Sequence, residues 1–165
     1  MRNPNIKYPD TQAYEYVISR FTEKHIKIHD IAKIVYNQTK EFVPTITIEE
    51  CEQDVIDIIH KRDYLNNAMI MIQLDKLAEQ NQLDEPLNMI ISNDLGVFGV
   101  DESMAVDIAT LYGPIGITNF GYLDRKKHGI IKDVDTNKNH VNTFLDDLIG
   151  ATVAAACGRI SHRYA

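Results

Sequence analysis

Tryptophan is absent from the 165 residues, cysteine occurs twice and proline only five times. Each shortage closes off a class of protein. Cys51 and Cys157 make neither a disulfide framework nor the paired spacing of a zinc site. Both fall in apolar helical patterns, which is the setting of reduced, buried thiols in a cytoplasmic protein. No apolar run approaches the roughly 18 residues that a transmembrane helix needs, so at most peripheral membrane contact is expected. The opening MRNPNIKYPD has no apolar core and does not read as a secretory signal. Basic residues are outnumbered, 17 against 24 acidic, and the net charge of −7 argues against nucleic acid as a partner. Strand-like alternation is confined to PTITI and ITNFGYL, neither of which has a convincing partner.

Helical periodicity fills the space that these absences leave. Tyr14, Val17, Ile18 and Phe21 line one face at i, i+3, i+4, i+7. Ile28, Ile31, Ile34 and Val35 repeat the pattern until Pro44 interrupts it. Thr47 with Glu50 is a capping-box signature ahead of the stripe Cys51, Val55, Ile58, Ile59. Leu65, Met69, Ile72 and Leu77 predict a longer helix reaching about Gln80, and Pro86 suits the first turn of a short one. A glycine-containing turn, SNDLGVFGVDES, leads into a helix near Asp101. Gly113-Pro114 separates that helix from another running to about Lys127, which His128-Gly129 closes. A polar loop, KDVDTNKN, then precedes a final helix from about Val141 to Ser161. Its Gly150, Ala151, Ala154, Ala155, Ala156 and Gly158 allow close packing near the centre of a bundle. The expectation is one all-α, multihelical domain, with helices over 1–90 and the chemistry-bearing region over 94–161. Small-residue helices and an apolar N-terminal half also suit a homo-oligomer.

Charge is distributed unevenly. From Asp84 to Asp124 there are seven acidic residues and no Lys or Arg, and then Arg125, Lys126, Lys127 and His128 follow at once. Acids crowded without counter-ions must be solvated, protonated or gathered round a cation. Asp146 and Asp147 lie between Phe144-Leu145 and Leu148-Ile149, where adjacent positions about 100° apart cannot both reach solvent from a central helix. Buried carboxylates are costly unless paired or metal-bound. Hard oxygen ligands without cysteine favour magnesium, manganese or calcium over zinc, and nearby Arg125, Lys127 and His128 would serve a phosphate group. Plainer roles stand beside this one. Asp101 and Glu102 would suit a helix N-terminus, and Asp146 and Asp147 could pair with Arg159, Arg163 or the basic cluster. A second arrangement, His25, His29-Asp30, His60 and Asp63, has the residue types of the HD phosphohydrolases, but His25 and His29 are too close for that pattern.

Three segments together resemble the phosphatidylglycerophosphatase A family, and most closely its soluble branch called low-temperature-requirement protein C. They are Asp101-Glu102 opening a helix, Leu123-Asp124-Arg125-Lys126-Lys127, and Leu145-Asp146-Asp147 before Gly150-Ala151. In order and spacing they match the family's D-E pair, its F-D-x-x-K-P-x-P-I segment and its L-D-D. The family's early glycine- and proline-rich segment is absent here, His128 and Ile130 stand where its prolines follow the lysine, and the transmembrane helices of its membrane-bound members are missing. The resemblance implies a magnesium-dependent phosphatase converting phosphatidylglycerophosphate to phosphatidylglycerol. Asp101, Glu102, Asp124, Asp146 and Asp147 would be its catalytic and metal-site residues, with Lys127 for phosphate. A non-catalytic protein that binds a metal or a phosphorylated ligand is the alternative.

Overall fold

The computed structural model describes residues 5–96 and 98–165. Residues 1–4 of the opening stretch and Val97 of the glycine-containing turn, both read above, lie outside the described residues. The described residues form α-helices and one 3-10 turn, without a strand. In chain order these are α1 (Asp10–Glu23), α2 (Ile28–Thr39), α3 (Ile48–Ile59), α4 (Arg62–Glu79), α5 (Leu87–Ser92), α6 (Val100–Ala109), α7 (Pro114–Arg125), α8 (Ile130–Asp135) and α9 (Leu145–Arg163), with the 3-10 turn Thr110–Tyr112 after α6. The all-α expectation holds, and ITNFGYL belongs to α7.

The capping box forms as the sequence predicts. Glu50 N donates to Thr47 Oγ1 at 3.2 Å, and Thr47 N donates to the Glu50 carboxylate at 2.9 Å. Three boundaries differ from the sequence reading. The polar loop KDVDTNKN is partly helical, because Ile131 and Val134 bury one side of the two-turn α8. α7 stops at Arg125, so Lys127 lies just beyond its end. α9 begins at Leu145 instead of Val141. Its opening is fixed from another helix: Phe144 N donates to both oxygens of Asp75 on α4 at 3.1 and 3.2 Å, and Leu145 N donates to Asp75 Oδ2 at 2.9 Å. Asp75 thus does the work of an N-cap side chain that Phe144 cannot do.

α9 is the axis of the molecule. It is buried from Leu145 through Gly158 and packs against α2, α3, α4, α6, α7 and α8. Tyr64 of α4 shares a fully buried hydrogen bond with Thr152 of α9 at 2.9 Å. Arg163 forks onto the buried carboxylate of Asp54 at 2.8 and 2.7 Å, and Arg159 reaches Asp57 at 2.6 Å, which ties α9 to α3. These arginines are therefore engaged far from Asp146 and Asp147. The small residues of α9 are buried inside the chain rather than on its outer face.

α7 meets α6 and α9 so closely that one position admits only glycine. A Cβ on Gly116 would overlap the carbonyl oxygen of Ala109, whereas a Cβ on Gly121 of the same helix would meet open space. Gly116→Ala is expected to cost about 1–3 kcal/mol through overpacking, seen as a lower Tm in thermal denaturation. Gly121→Ala should leave Tm unchanged or raise it, since alanine is the better helix former by about 1 kcal/mol. Equal Tm changes would mean that the α6–α7 contact is looser than described.

Candidate metal and phosphate site

Two helices open towards the same place. α6 carries Asp101 and Glu102 in its first turn, and α9 carries Asp146 and Asp147 in its first turn. Both helix N-termini supply positive dipole ends, which favour carboxylates and other anions there. The C-terminal end of α7 and the residues after it bring Asp124 and Lys127 alongside.

The five predicted carboxylates divide into two groups. Asp101, Glu102 and Asp147 each offer an oxygen within 4.8 Å of the others, and among the described residues they are the one such group able to share an ion. Asp101 Oδ1 and Glu102 Oε2 are out of water with no hydrogen-bond partner. Facing carboxylates cannot donate to each other unless one holds a proton, so a shared proton or a cation is needed to satisfy them. Burial first, then Glu102, pushes Asp101 up to about 7. The contact with Asp101 holds Glu102 below the usual range. Asp147 is pushed up to about 9 by burial, then by the charges of Asp146 and Asp124. An all-oxygen donor set of this kind fits a hard divalent cation such as magnesium or manganese.

Asp146 faces a different way from Asp147, as adjacent helix positions must. Its Oδ2 accepts from Lys127 Nζ at 2.6 Å, and the same ammonium donates to Asp135 Oδ1 at 2.8 Å. Burial moves Asp146 up to about 6, with Lys127 pulling the other way. Burial opposes the charge on Lys127 as well, but Asp146 and Asp135 outweigh it and hold the ammonium above the ordinary lysine range. Of three N–H donors, one is left for a further acceptor.

Asp124 is half-buried on α7, and its charge acts on Asp147, but it is not one of the three converging residues. Arg125 is exposed and, among the described residues, makes no ion pair with the carboxylates. His128 Nδ1 pairs with the Lys126 carbonyl at 2.8 Å instead of reaching the site. The histidine arrangement does not assemble. His29 pairs with Glu52 at 2.5 Å, and His60 stacks on Tyr14 with ring centroids 4.0 Å apart.

Comparison with known proteins gives the chain its family. The family model described as Phosphatidylglycerophosphatase A matches residues 30–162. The chain belongs to the phosphatidylglycerophosphatase A family. It is 42% identical over 146 residues to the uncharacterized protein YutG of Bacillus subtilis (strain 168), covering 88% of each chain. Among solved structures, the ypjQ protein from Bacillus subtilis superposes with a TM-score of 0.89 at 36% identity, covering 95% of this chain and 98% of that one. The low temperature requirement C protein from Listeria monocytogenes gives a TM-score of 0.86 at 39% identity, covering 94% and 96%.

Three further acids of this phosphatidylglycerophosphatase A family member escaped the sequence reading. Asp75 is buried and raised well above the usual carboxylate range by burial, although the amides of Phe144 and Leu145 pull it down. Its one sequence signal is an acid inside an apolar helical stretch. Asp135 sat in a segment read as loop. Asp94 is raised chiefly by burial and feels the charges of Lys127, Asp135 and Glu102.

The raised values of Asp101 and Asp147 have a consequence for stability. A carboxyl raised in the folded state stabilises fully below its unfolded value of 3.8, and loses that contribution as pH climbs through about 7 and about 9. In EDTA, Tm should therefore fall as pH rises from 6 to 9, and millimolar magnesium should remove most of the fall by taking the protons' place. A pH-independent Tm in EDTA across that range would contradict the assignment.

Proposed function

We propose that the protein is a magnesium-dependent phosphatase that hydrolyses phosphatidylglycerophosphate to phosphatidylglycerol and phosphate. The observation that supports it most is the pair of buried, partnerless oxygens on Asp101 and Glu102 facing Asp147, with the ammonium of Lys127 beside them. Family membership supports the phosphatase class. Asp101, Glu102 and Asp147 would hold the cation. Magnesium bound there supplies charge against the phosphoryl oxygens and lowers the pKa of water.

The remaining work falls to the chain's own groups. Lys127, clamped by Asp135 and Asp146, has one N–H to give a phosphoryl oxygen. The N-termini of α6 and α9 add favourable dipoles for the same dianion. Asp124, whose charge reaches Asp147 from outside the converging trio, would take the proton of the attacking water. No helix among the described residues is long and apolar enough to cross a membrane, so the lipid head would be met at the bilayer surface. The free, buried thiols of Cys51 and Cys157 suit a cytoplasmic setting.

Phosphate release from phosphatidylglycerophosphate in detergent micelles, with magnesium and with EDTA, tests the reading. Release should require the metal, and Asp147→Asn should lower kcat/KM by about a hundredfold or more. Lys127→Ala should raise KM and lower kcat together, since its contact with the phosphoryl group would tighten as charge develops in the transition state. Magnesium binding without release from the native chain would instead favour a ligand-binding member of the family.

A further inference from the structure

The outward side of α7 differs from the rest of the surface. A quarter of the chain is charged, yet Thr110 to Leu123 carries no charged residue. The uncharged stretch of α9, Leu148 to Gly158, is buried. On α7 the uncharged residues Pro114, Ile115, Ile117, Thr118, Gly121 and Tyr122 are exposed. Phe42, 84% exposed in the turn after α2, continues this face, since it lines one groove of about 330 Å³ with Ile115 and Thr118. Exposed apolar patches of this kind mark binding surfaces. Gly121 lies within the patch, and a Cβ there would meet open space, so packing inside the chain does not ask for glycine. An exposed helical glycine is destabilising, and what it offers in return is bare backbone that another surface can approach closely.

The face ends in positive charge. Arg125 and Lys126 are exposed, and neither pairs with a carboxylate among the described residues. Lys126 Nζ lies 5.9 Å from the centre of the Tyr122 ring. At the other end Glu41 precedes Phe42, and the exposed Lys40 next to it offsets its charge. Asp124, the one acid of α7, is half-buried and acts on Asp147. Apolar side chains bordered by tyrosine and by lysine or arginine are the pattern of a surface that sits in a membrane interface, with the cations at the depth of the lipid phosphates. A second copy of the chain matches this face less well. In a two-fold dimer the face would meet itself, and the outward side of α7 has no carboxylate to offer Arg125 and Lys126.

We infer that the outward side of α7, together with Phe42, docks the protein on an anionic bilayer. Phe42, Ile115 and Ile117 enter the boundary of the acyl region, and Arg125 and Lys126 meet lipid phosphates. The net charge of −7 holds the rest of the molecule off such a surface, so the basic end of α7 also orients the approach. Chain continuity brings the site to the same edge, because Lys126 is followed by Lys127, whose ammonium is clamped to Asp146. A lipid head in the docked leaflet then reaches the site past the end of α7. The inference rests on the phosphatase reading for the use made of that approach, and on the face itself for the docking.

The test is co-sedimentation of the full chain with vesicles of phosphatidylcholine alone or mixed with phosphatidylglycerol. Binding should require the anionic lipid and weaken as salt is raised. Lys126→Ala should weaken it about fivefold, and Ile117→Glu about tenfold or more. Both positions are exposed, so neither change threatens the core. A wild-type chain that stays in solution, equal binding to neutral and anionic vesicles, or variants that bind as well as wild type overturn the inference. So does a dimer that light scattering shows in place of vesicle binding and that Ile117→Glu breaks, since the face would then belong to a second copy. Phosphate release from a short-chain phosphatidylglycerophosphate kept below its micelle concentration separates the two readings. Release there without vesicle binding would leave the phosphatase standing and remove the docking face. Vesicle binding without release would do the reverse.

Discussion

The carboxylate of Asp75, seated on the opening amides of α9, is the contact on which the rest depends. Without Asp75, Phe144 N would be a buried donor at a helix start and Leu145 N would keep only the Asn142 carbonyl at 3.1 Å, a costly arrangement in a packed interior. Asp75 satisfies both, and so fixes where α9 begins and which way its first turn faces. That turn carries Asp146 and Asp147. A one-residue slip in the start would rotate the pair by about 100°, putting one of the two in the other's place and turning the other away from the site. The register of the chemistry is therefore set by a residue on α4 that takes no part in it.

Holding so many acids together works against stability. Asp101 and Asp147 are raised, and Asp94, Asp135 and Asp146 crowd round a single lysine. Helices α6 and α9 partly offset this by aiming their positive ends at the cluster. The central packing of α9 then supplies the rigidity that keeps the acids from moving apart. Such tension between a stable core and a poorly neutralised cluster is what the proposed cation would relieve.

Much of the scaffold was legible in the sequence, because its signals are local. The stripe on α1, the capping box at Thr47 and the Gly113-Pro114 boundary each act within a few residues, and each formed as read. The burial of α9 was legible from its small residues. What escaped depends on distant contacts. α9 starts late because of Asp75, whose sequence position gives no hint of its partner. α8 was missed because six residues, half of them polar, hold too little periodicity to show. Pairing with the basic cluster was open to both Asp146 and Asp147, and that Lys127 takes Asp146 and leaves Asp147 follows from how α7 and α9 cross. The acidic motif named the residues of the site, and only packing divided them into a converging trio and a clamped lysine.

The central claim is that Asp101, Glu102 and Asp147 form one divalent-cation site. Crystals of the protein soaked in manganese, with anomalous differences collected, test it most directly. The account predicts a peak within coordination distance of all three carboxylates and its loss in Asp147→Asn. Bound manganese elsewhere, with none at these residues, would contradict it.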